Sequence, residues 1–225
     1  MRWTAVLAVK QLTDAKSRLA DHFDEDVRRQ LVLAMLADTL SAVLPEVADT
    51  AILVSPDADV LAAANALGAQ AVPEPAGGTG SINGAFALGL AAAWRADPSV
   101  GVLIVQADLP AVRPAELSAA AAAAERVLTD GAAAAFVPDR DGSGTTTLFA
   151  APPGSAATAD SAAAQQVPLH FGPGSAAAHA AVGAIELTGN WPGLRADVDT
   201  PEDLLVVTDL GVGAATAPLL THRVR

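Results

Sequence analysis

Three aspartates carry the strongest chemical signal in the chain. Asp108 ends the apolar run Val102-Leu103-Ile104-Val105-Gln106-Ala107, and Asp197 and Asp199 flank Val198 in Ala196-Asp197-Val198-Asp199-Thr200-Pro201-Glu202-Asp203-Leu204. In an extended segment Val198 faces one way and both neighbouring carboxylates face the other. Hard oxygen ligands of this kind suit Mg²⁺ held together with substrate phosphates. A structural role competes with this reading, because aspartate is favoured at turns and helix N-termini. For Asp108 both readings stand. For the pair the structural one is weaker: Thr200 and Pro201 already supply a helix cap and a first helical residue, so neither Asp197 nor Asp199 is needed there.

A second group is basic: Lys10, Lys16 and Arg18, in Val9-Lys10-Gln11-Leu12-Thr13-Asp14-Ala15-Lys16-Ser17-Arg18-Leu19. These side chains either neutralise triphosphate oxygens as charge develops on a departing pyrophosphate, or form a solvated face. An anionic substrate needs such cations here, since the net charge is -12 and the pI near 4.5. Two like unit charges about 4 Å apart repel by about 4 kcal/mol at an effective dielectric of about 20. The same acidity argues against general nucleic-acid binding, which shows a basic footprint.

Smaller signals follow. Gly77-Gly78-Thr79-Gly80 before a helix either presents backbone N–H groups to a nucleotide or makes a plain turn, and its spacing matches neither a Walker loop nor a dinucleotide fingerprint. Asn83 either pairs with a base or ribose through its donor and acceptor, or caps the helix. The loops Gly142 to Thr146 and Gly172 to Ser175 offer hydroxyls and N–H groups suited to a carboxylate or phosphate, although hairpin connections look alike. His22, His170, His179 and His222 are scattered without metal spacing and read as structural or surface residues. The chain has no cysteine, which excludes a thiolate mechanism and a disulfide scaffold. No serine sits in a nucleophile-elbow pattern. Lack of a protein nucleophile suits a reaction whose nucleophile is already ionised. A phosphate oxygen attacking a nucleotide α-phosphorus needs only positioning and charge neutralisation.

The elements that must position these groups are legible from periodicity. Trp3 to Val9 reads as a strand, about Asp24 to Val43 as a long amphipathic helix and Ala51 to Val54 as a strand. Asp57 to Leu67 reads as a helix closed by Gly68, and Ala69 to Val72 as a strand leading into Pro73-Glu74-Pro75. A helix from about Ile82 to Trp94, the central strand Val102 to Ala107, a helix from Pro114 to Leu128 and a strand from Ala133 to Val137 follow. Asp139 to Thr147 reads as a polar loop before the strand-like Leu148-Phe149-Ala150. The short helix Ala176 to Ala181, the strand Ala184 to Leu187 and the helix Pro201 to Leu210 come last. Such alternation predicts a mostly parallel sheet covered on both faces, with ligands at the carboxyl edge. One domain is expected over residues 1–210, with a tail, 211–225, that is loose or used in oligomerisation. The hydrophobic fraction of 52% is inflated by alanine runs, and Lys10 interrupts the first apolar stretch. Neither a signal peptide nor a membrane span is expected, and the expected location is the cytoplasm.

Taken together, several motifs resemble one family. They are Ala8-Val9-Lys10 with Ala15-Lys16-Ser17-Arg18-Leu19, Gly80 with Asn83, Gln106-Ala107-Asp108-Leu109-Pro110, Asp141 to Thr146, Phe171 with Gly174-Ser175 and His179, and Asp197 to Leu204. The chain resembles, over essentially its whole domain, the guanylyltransferases that activate phosphoenolpyruvate or 2-phospho-L-lactate in biosynthesis of the deazaflavin coenzyme F(420). The resemblance implies an α/β, single-domain, Rossmann-like nucleotidyltransferase fold with a mostly parallel mixed sheet and helices on both faces. It implies Mg²⁺ on Asp108, Asp197 and Asp199, a GTP pocket including Gly80, Asn83 and Asp108, and acceptor contacts from Thr145 or Thr146, Gly172 and Ser175. Lys10, Lys16 and Arg18 become the catalytic cations. Phosphoenolpyruvate is the favoured acceptor, because the alanine-rich, lysine-poor composition is that of actinobacterial members associated with it. An unstable product implies hand-over to a downstream transferase. A nucleotide-sugar glycosyltransferase is the alternative enzyme, but its paired aspartates sit mid-chain, where this sequence has Asp108 alone. A GTP-binding protein without turnover is the alternative outside catalysis.

Overall fold

The computed structural model describes residues 1–14, 16–44, 46–155, 167 and 169–221, so His222 lies outside the described residues. Seven strands form one sheet in the order β3-β2-β1-β4-β6-β5-β7: β1 (Trp3–Ala8), β2 (Thr50–Ser55), β3 (Gln70–Pro73), β4 (Gly101–Val105), β5 (Ala134–Pro138), β6 (Thr145–Ala150) and β7 (Ile185–Glu186). Every pairing is parallel except those of β6, which runs antiparallel to both β4 and β5. The sheet is therefore mixed and mostly parallel.

Strands β1, β4 and β5 are buried at every position, as strands covered on both faces must be. Period-two alternation divides their side chains between two layers. Leu7, Leu53, Leu103, Val105 and Phe149 pack with α1 (Glu25–Val43), α2 (Ala58–Ala66), α4 (Pro114–Thr129) and α6 (Pro201–Leu210). Val6, Ile52, Ile104, Phe136 and Leu148 pack with α3 (Ile82–Ala96) and α5 (Ser175–Ala181) on the other face. The helices start where the sequence signals them: Asp24, Asp57, Ser81 and Thr200 each accept a backbone N–H at an N-cap.

Two segments differ from expectation. Thr145, Thr146 and Thr147 are not loop residues; they begin β6, paired with Pro138 on one side and Val105 on the other, and all three are buried. β-branched side chains suit that position, and local bonds absorb two of the hydroxyls, at His179 and at the Val137 carbonyl. The chain after Gly211 is not loose as far as it is described. Gly213 N–H donates to the Pro110 carbonyl at 2.8 Å, and Ala215 and Thr216 N–H groups each donate to the Asp38 carboxylate at 2.9 Å. Leu220, in α7 (Ala217–Thr221), joins the core. No helix among the described residues is long and apolar enough to cross a membrane.

Candidate active site

The carboxyl ends of β1 to β5 and, because β6 is reversed, the amino end of β6 open onto one edge of the sheet. The order of strands reverses between the adjacent β1 and β4, the position where open α/β sheets bind ligands. Three contiguous hollows form a trough there. The first, about 280 Å³, is walled by Val9, Lys10, Pro56, Glu74, Gly80 and Ile82. The second, about 230 Å³, shares Val9, Lys10 and Ile82 with it and adds Lys16 and Asp108. The third, about 600 Å³, shares Gln106 and Asp199 with the second and adds Arg18, Arg140, Thr145, Gly172, Ser175 and Asp197.

At the centre, backbone contacts bring the predicted charges together. Leu109 N–H donates to the buried Thr39 hydroxyl at 3.2 Å, and the Asp108 carbonyl accepts from Val198 N–H at 3.3 Å. The segment carrying Asp197 and Asp199 is thereby docked beside Asp108, with Val198 fully buried. Thr200 forms a capping box with Asp203, leaving the other two carboxylates uncommitted to the helix. Lys16 is the one non-glycine residue at positive φ among those described, at 53°, a conformation that costs about 1–2 kcal/mol. Its ammonium bonds to Asp108 and, at 3.0 Å, to Asp199, while Arg18 stands 3.6 Å from Asp199.

Burial works against the Lys16 charge, yet Asp108 and Asp199 outweigh it and hold the ammonium above its ordinary range. Burial first, and then the charges of Asp108 and Asp199, push the Asp197 carboxyl up to about 7. No three carboxylates or histidines among the described residues are arranged to enclose a metal ion. The three aspartates lie close to one another but form no ready-made cage, since Lys16 already pairs with two of them. The donor set nevertheless fits a hard divalent cation that keeps water and phosphate ligands. Asp108 Oδ1 is buried and accepts from no described donor.

At the first hollow, Glu74 Oε2 accepts from Thr79 N–H at 2.7 Å and from its hydroxyl at 2.8 Å, which shapes the glycine loop. Gly84 lies so near the Thr79 carbonyl that any Cβ would overlap it, so the loop rests directly on α3. Gly80 lines the hollow. Asn83 does not: its Nδ2 donates to the Phe171 carbonyl at 3.0 Å and its Oδ1 accepts from Phe171 N–H at 2.8 Å. It is not the cap, since Ser81 caps the helix; it fastens α3 to the 169–175 segment.

At the third hollow, the Asp139 carboxylate accepts from Ser143 N–H at 2.8 Å and Gly144 N–H at 2.7 Å. Ala176 N–H donates to the Ser143 carbonyl at 3.2 Å, joining both expected acceptor loops. Of the pair Thr145 and Thr146, Thr145 lines the hollow. Thr146 is fully buried with its hydroxyl turned to Val137, and it is absent from the trough wall. Behind Thr145 stands His179, fully buried. His170 N–H donates to His179 Nε2 at 3.1 Å, so the imidazole proton sits on Nδ1 and is donated to the Thr145 hydroxyl at 2.9 Å. The hydroxyl's own proton is then left for an acceptor in the hollow. Sequence reasoning missed Asp139, Arg140 and the partnership of His179. An aspartate shortly before Gly142-Ser143-Gly144 was the available signal for the first.

Comparison with known proteins agrees with this geometry. Residues 3–154 match the family described as guanylyl transferase CofC like. The chain is 45% identical over 215 residues to a phosphoenolpyruvate guanylyltransferase from Mycolicibacterium vanbaalenii, covering 94% of this chain and 92% of that one. It is 43% identical over 219 residues to one from Nocardia farcinica, covering 96% and 89%. Among solved structures, a nucleotidyl transferase from Methanothermobacter thermautotroptrophicus matches with a TM-score of 0.60 over 92% of this chain and 96% of that one, at 18% identity, a likeness of fold. A trough with paired anionic and cationic groups on a nucleotidyltransferase sheet, in a chain matched by that family over most of its length, places this protein in the CofC-like guanylyl transferase family.

Proposed function

We propose that the chain transfers GMP from GTP to phosphoenolpyruvate, giving enolpyruvyl-diphospho-guanosine and pyrophosphate in coenzyme F(420) biosynthesis. The supporting observation is one trough that runs from a glycine loop, across Lys10, Lys16 and the three aspartates, to a hollow lined by Arg18, Arg140, Thr145 and Ser175 as well as further carboxylates. Relatives named phosphoenolpyruvate guanylyltransferase agree with it. A phosphate oxygen of the acceptor bonds to the α-phosphorus of GTP, and the bond from that phosphorus to the pyrophosphate oxygen breaks. No protein base is needed, because the nucleophile is already ionised.

The chain's own residues orient and neutralise. Gly80 and its loop receive the nucleoside, and Thr145, Gly172 and Ser175 receive the acceptor's carboxylate or phosphate. Lys10, Lys16 and Arg18 offset charge on the departing pyrophosphate. Asp108, Asp197 and Asp199 would hold Mg²⁺, which when bound supplies Lewis-acid neutralisation of the phosphates. The reaction takes place in the cytoplasm, and its unstable product passes to a downstream transferase.

The test is pyrophosphate release from GTP with phosphoenolpyruvate and 2-phospho-L-lactate supplied separately. Phosphoenolpyruvate should stimulate release the more strongly, and Asp197→Asn or Asp199→Asn should slow it about 100-fold or more. No stimulation by either acceptor, with the downstream transferase present to draw off product, would overturn the proposal.

A further inference from the structure

The first hollow holds one carboxylate whose task is half accounted for. Glu74 Oε2 takes both Thr79 donors, while Oε1 accepts from no described residue and the side chain lines the hollow. The group is held from two sides: its main-chain N–H donates to the Ser55 carbonyl at 3.1 Å, and Thr79 fixes its tip. A carboxylate so fixed is a preorganised acceptor. Val9, Pro56 and Ile82 supply apolar walls for a flat ring. Lys10, shared with the second hollow, puts phosphates attached to such a ring on the path toward Lys16 and Asp108.

Among the common bases, guanine alone places two adjacent donors, N1–H and the N2 amino group, on one edge. Adenine and cytosine set an acceptor nitrogen where a carboxylate repels it, and uracil has one N–H between two carbonyls. Gln11 also lines the hollow, but an amide offers both donors and acceptors and selects no base by itself. Resting on the guanylyltransferase reading above, we propose that Glu74 is the specificity-determining residue for guanine, with Oε1 accepting from N1–H and the N2 amino group. Its clamp on Thr79 keeps that oxygen aimed at the ring edge.

The experiment measures pyrophosphate release by the full chain with Mg²⁺ and phosphoenolpyruvate, using GTP and inosine triphosphate, which lacks the N2 amino group. The unaltered enzyme should prefer GTP by about 10- to 100-fold in kcat/KM, the scale of one hydrogen bond to a charged group. Glu74→Gln should lower kcat/KM for GTP by about the same factor, chiefly through KM, and bring the two nucleotides close to parity. Thr79→Val, which loosens the loop but keeps the carboxylate, should slow both nucleotides alike. Equal use of both nucleotides by the unaltered enzyme overturns the proposal even if Glu74→Gln fails to fold. So does a Glu74→Gln enzyme of unchanged melting temperature that loses both activities in the same proportion. Absence of release with every nucleotide overturns the guanylyltransferase reading itself, and the role of Glu74 with it.

Discussion

Thr145 is oriented from behind, by a histidine whose ring nitrogens are both engaged. Its hydroxyl accepts from His179, and in the proposed reaction its own O–H donates to the acceptor. Thr145→Val should raise KM for phosphoenolpyruvate about 10-fold, the worth of one such bond, with KM for GTP unchanged, and Thr145→Ser should restore most of it. Steady-state kinetics with each substrate varied in turn checks this. At the scale of residues, the sequence was readable where charge made a role singular. Aspartates beyond a buried strand and lysines in an acidic chain have few other uses, and Lys16, Asp108 and Asp199 do meet. It was unreadable where amides and hydroxyls serve backbone and ligand equally well. Asn83 and Thr146 look like ligands by type, yet both bond to main chain, at Phe171 and at Val137.

Elements were legible for a different reason: alternation and caps are local. Asp57, Ser81 and Thr200 announce α2, α3 and α6, and burial on both faces gives β4 its unbroken apolar run. The exception is β6, whose first three residues are threonines; a polar composition hid a buried strand because its hydroxyls find partners or bury within the core. The capping box of α6 is itself testable. Burial opposes the Asp203 charge, but the Thr200 hydroxyl, the N–H groups of Asp199 and Thr200, and Arg140 hold its carboxyl below the ordinary value of 3.8. A lowered folded-state value means that this stabilisation is present above pH 3.8 and is lost as pH falls through the lower, folded one. Asp203→Asn should cost about 1 kcal/mol at neutral pH, and denaturant unfolding should show the gap from the parent closing as the medium becomes strongly acidic.

Over the whole molecule, the described C-terminal segment is fastened through Asp38, a buried carboxylate in the C-terminal half of α1 that accepts from Ala215 and Thr216. No periodicity in that segment forecast it, because the anchor lies far away in sequence. Asp38→Ala should remove about 2 kcal/mol of stability and lower the melting temperature by about 4–8 °C for a chain of this size, leaving both KM values unaltered. Calorimetry beside kinetics separates those outcomes.

The single reversed strand has a consequence for how such a chain can change over time. Inserting β6 between β4 and β5 turns the Asp139–Gly144 loop and the amino end of α5 toward the same edge as the glycine loop. Yet the chain builds the first hollow entirely from residues up to Ala85, and the third, apart from Arg18, from Gln106 onward. The two ends of the trough are thus inherited as nearly separate stretches of sequence. Under the proposed assignment, drift in one retunes the accepted acid while the other goes on reading the same base.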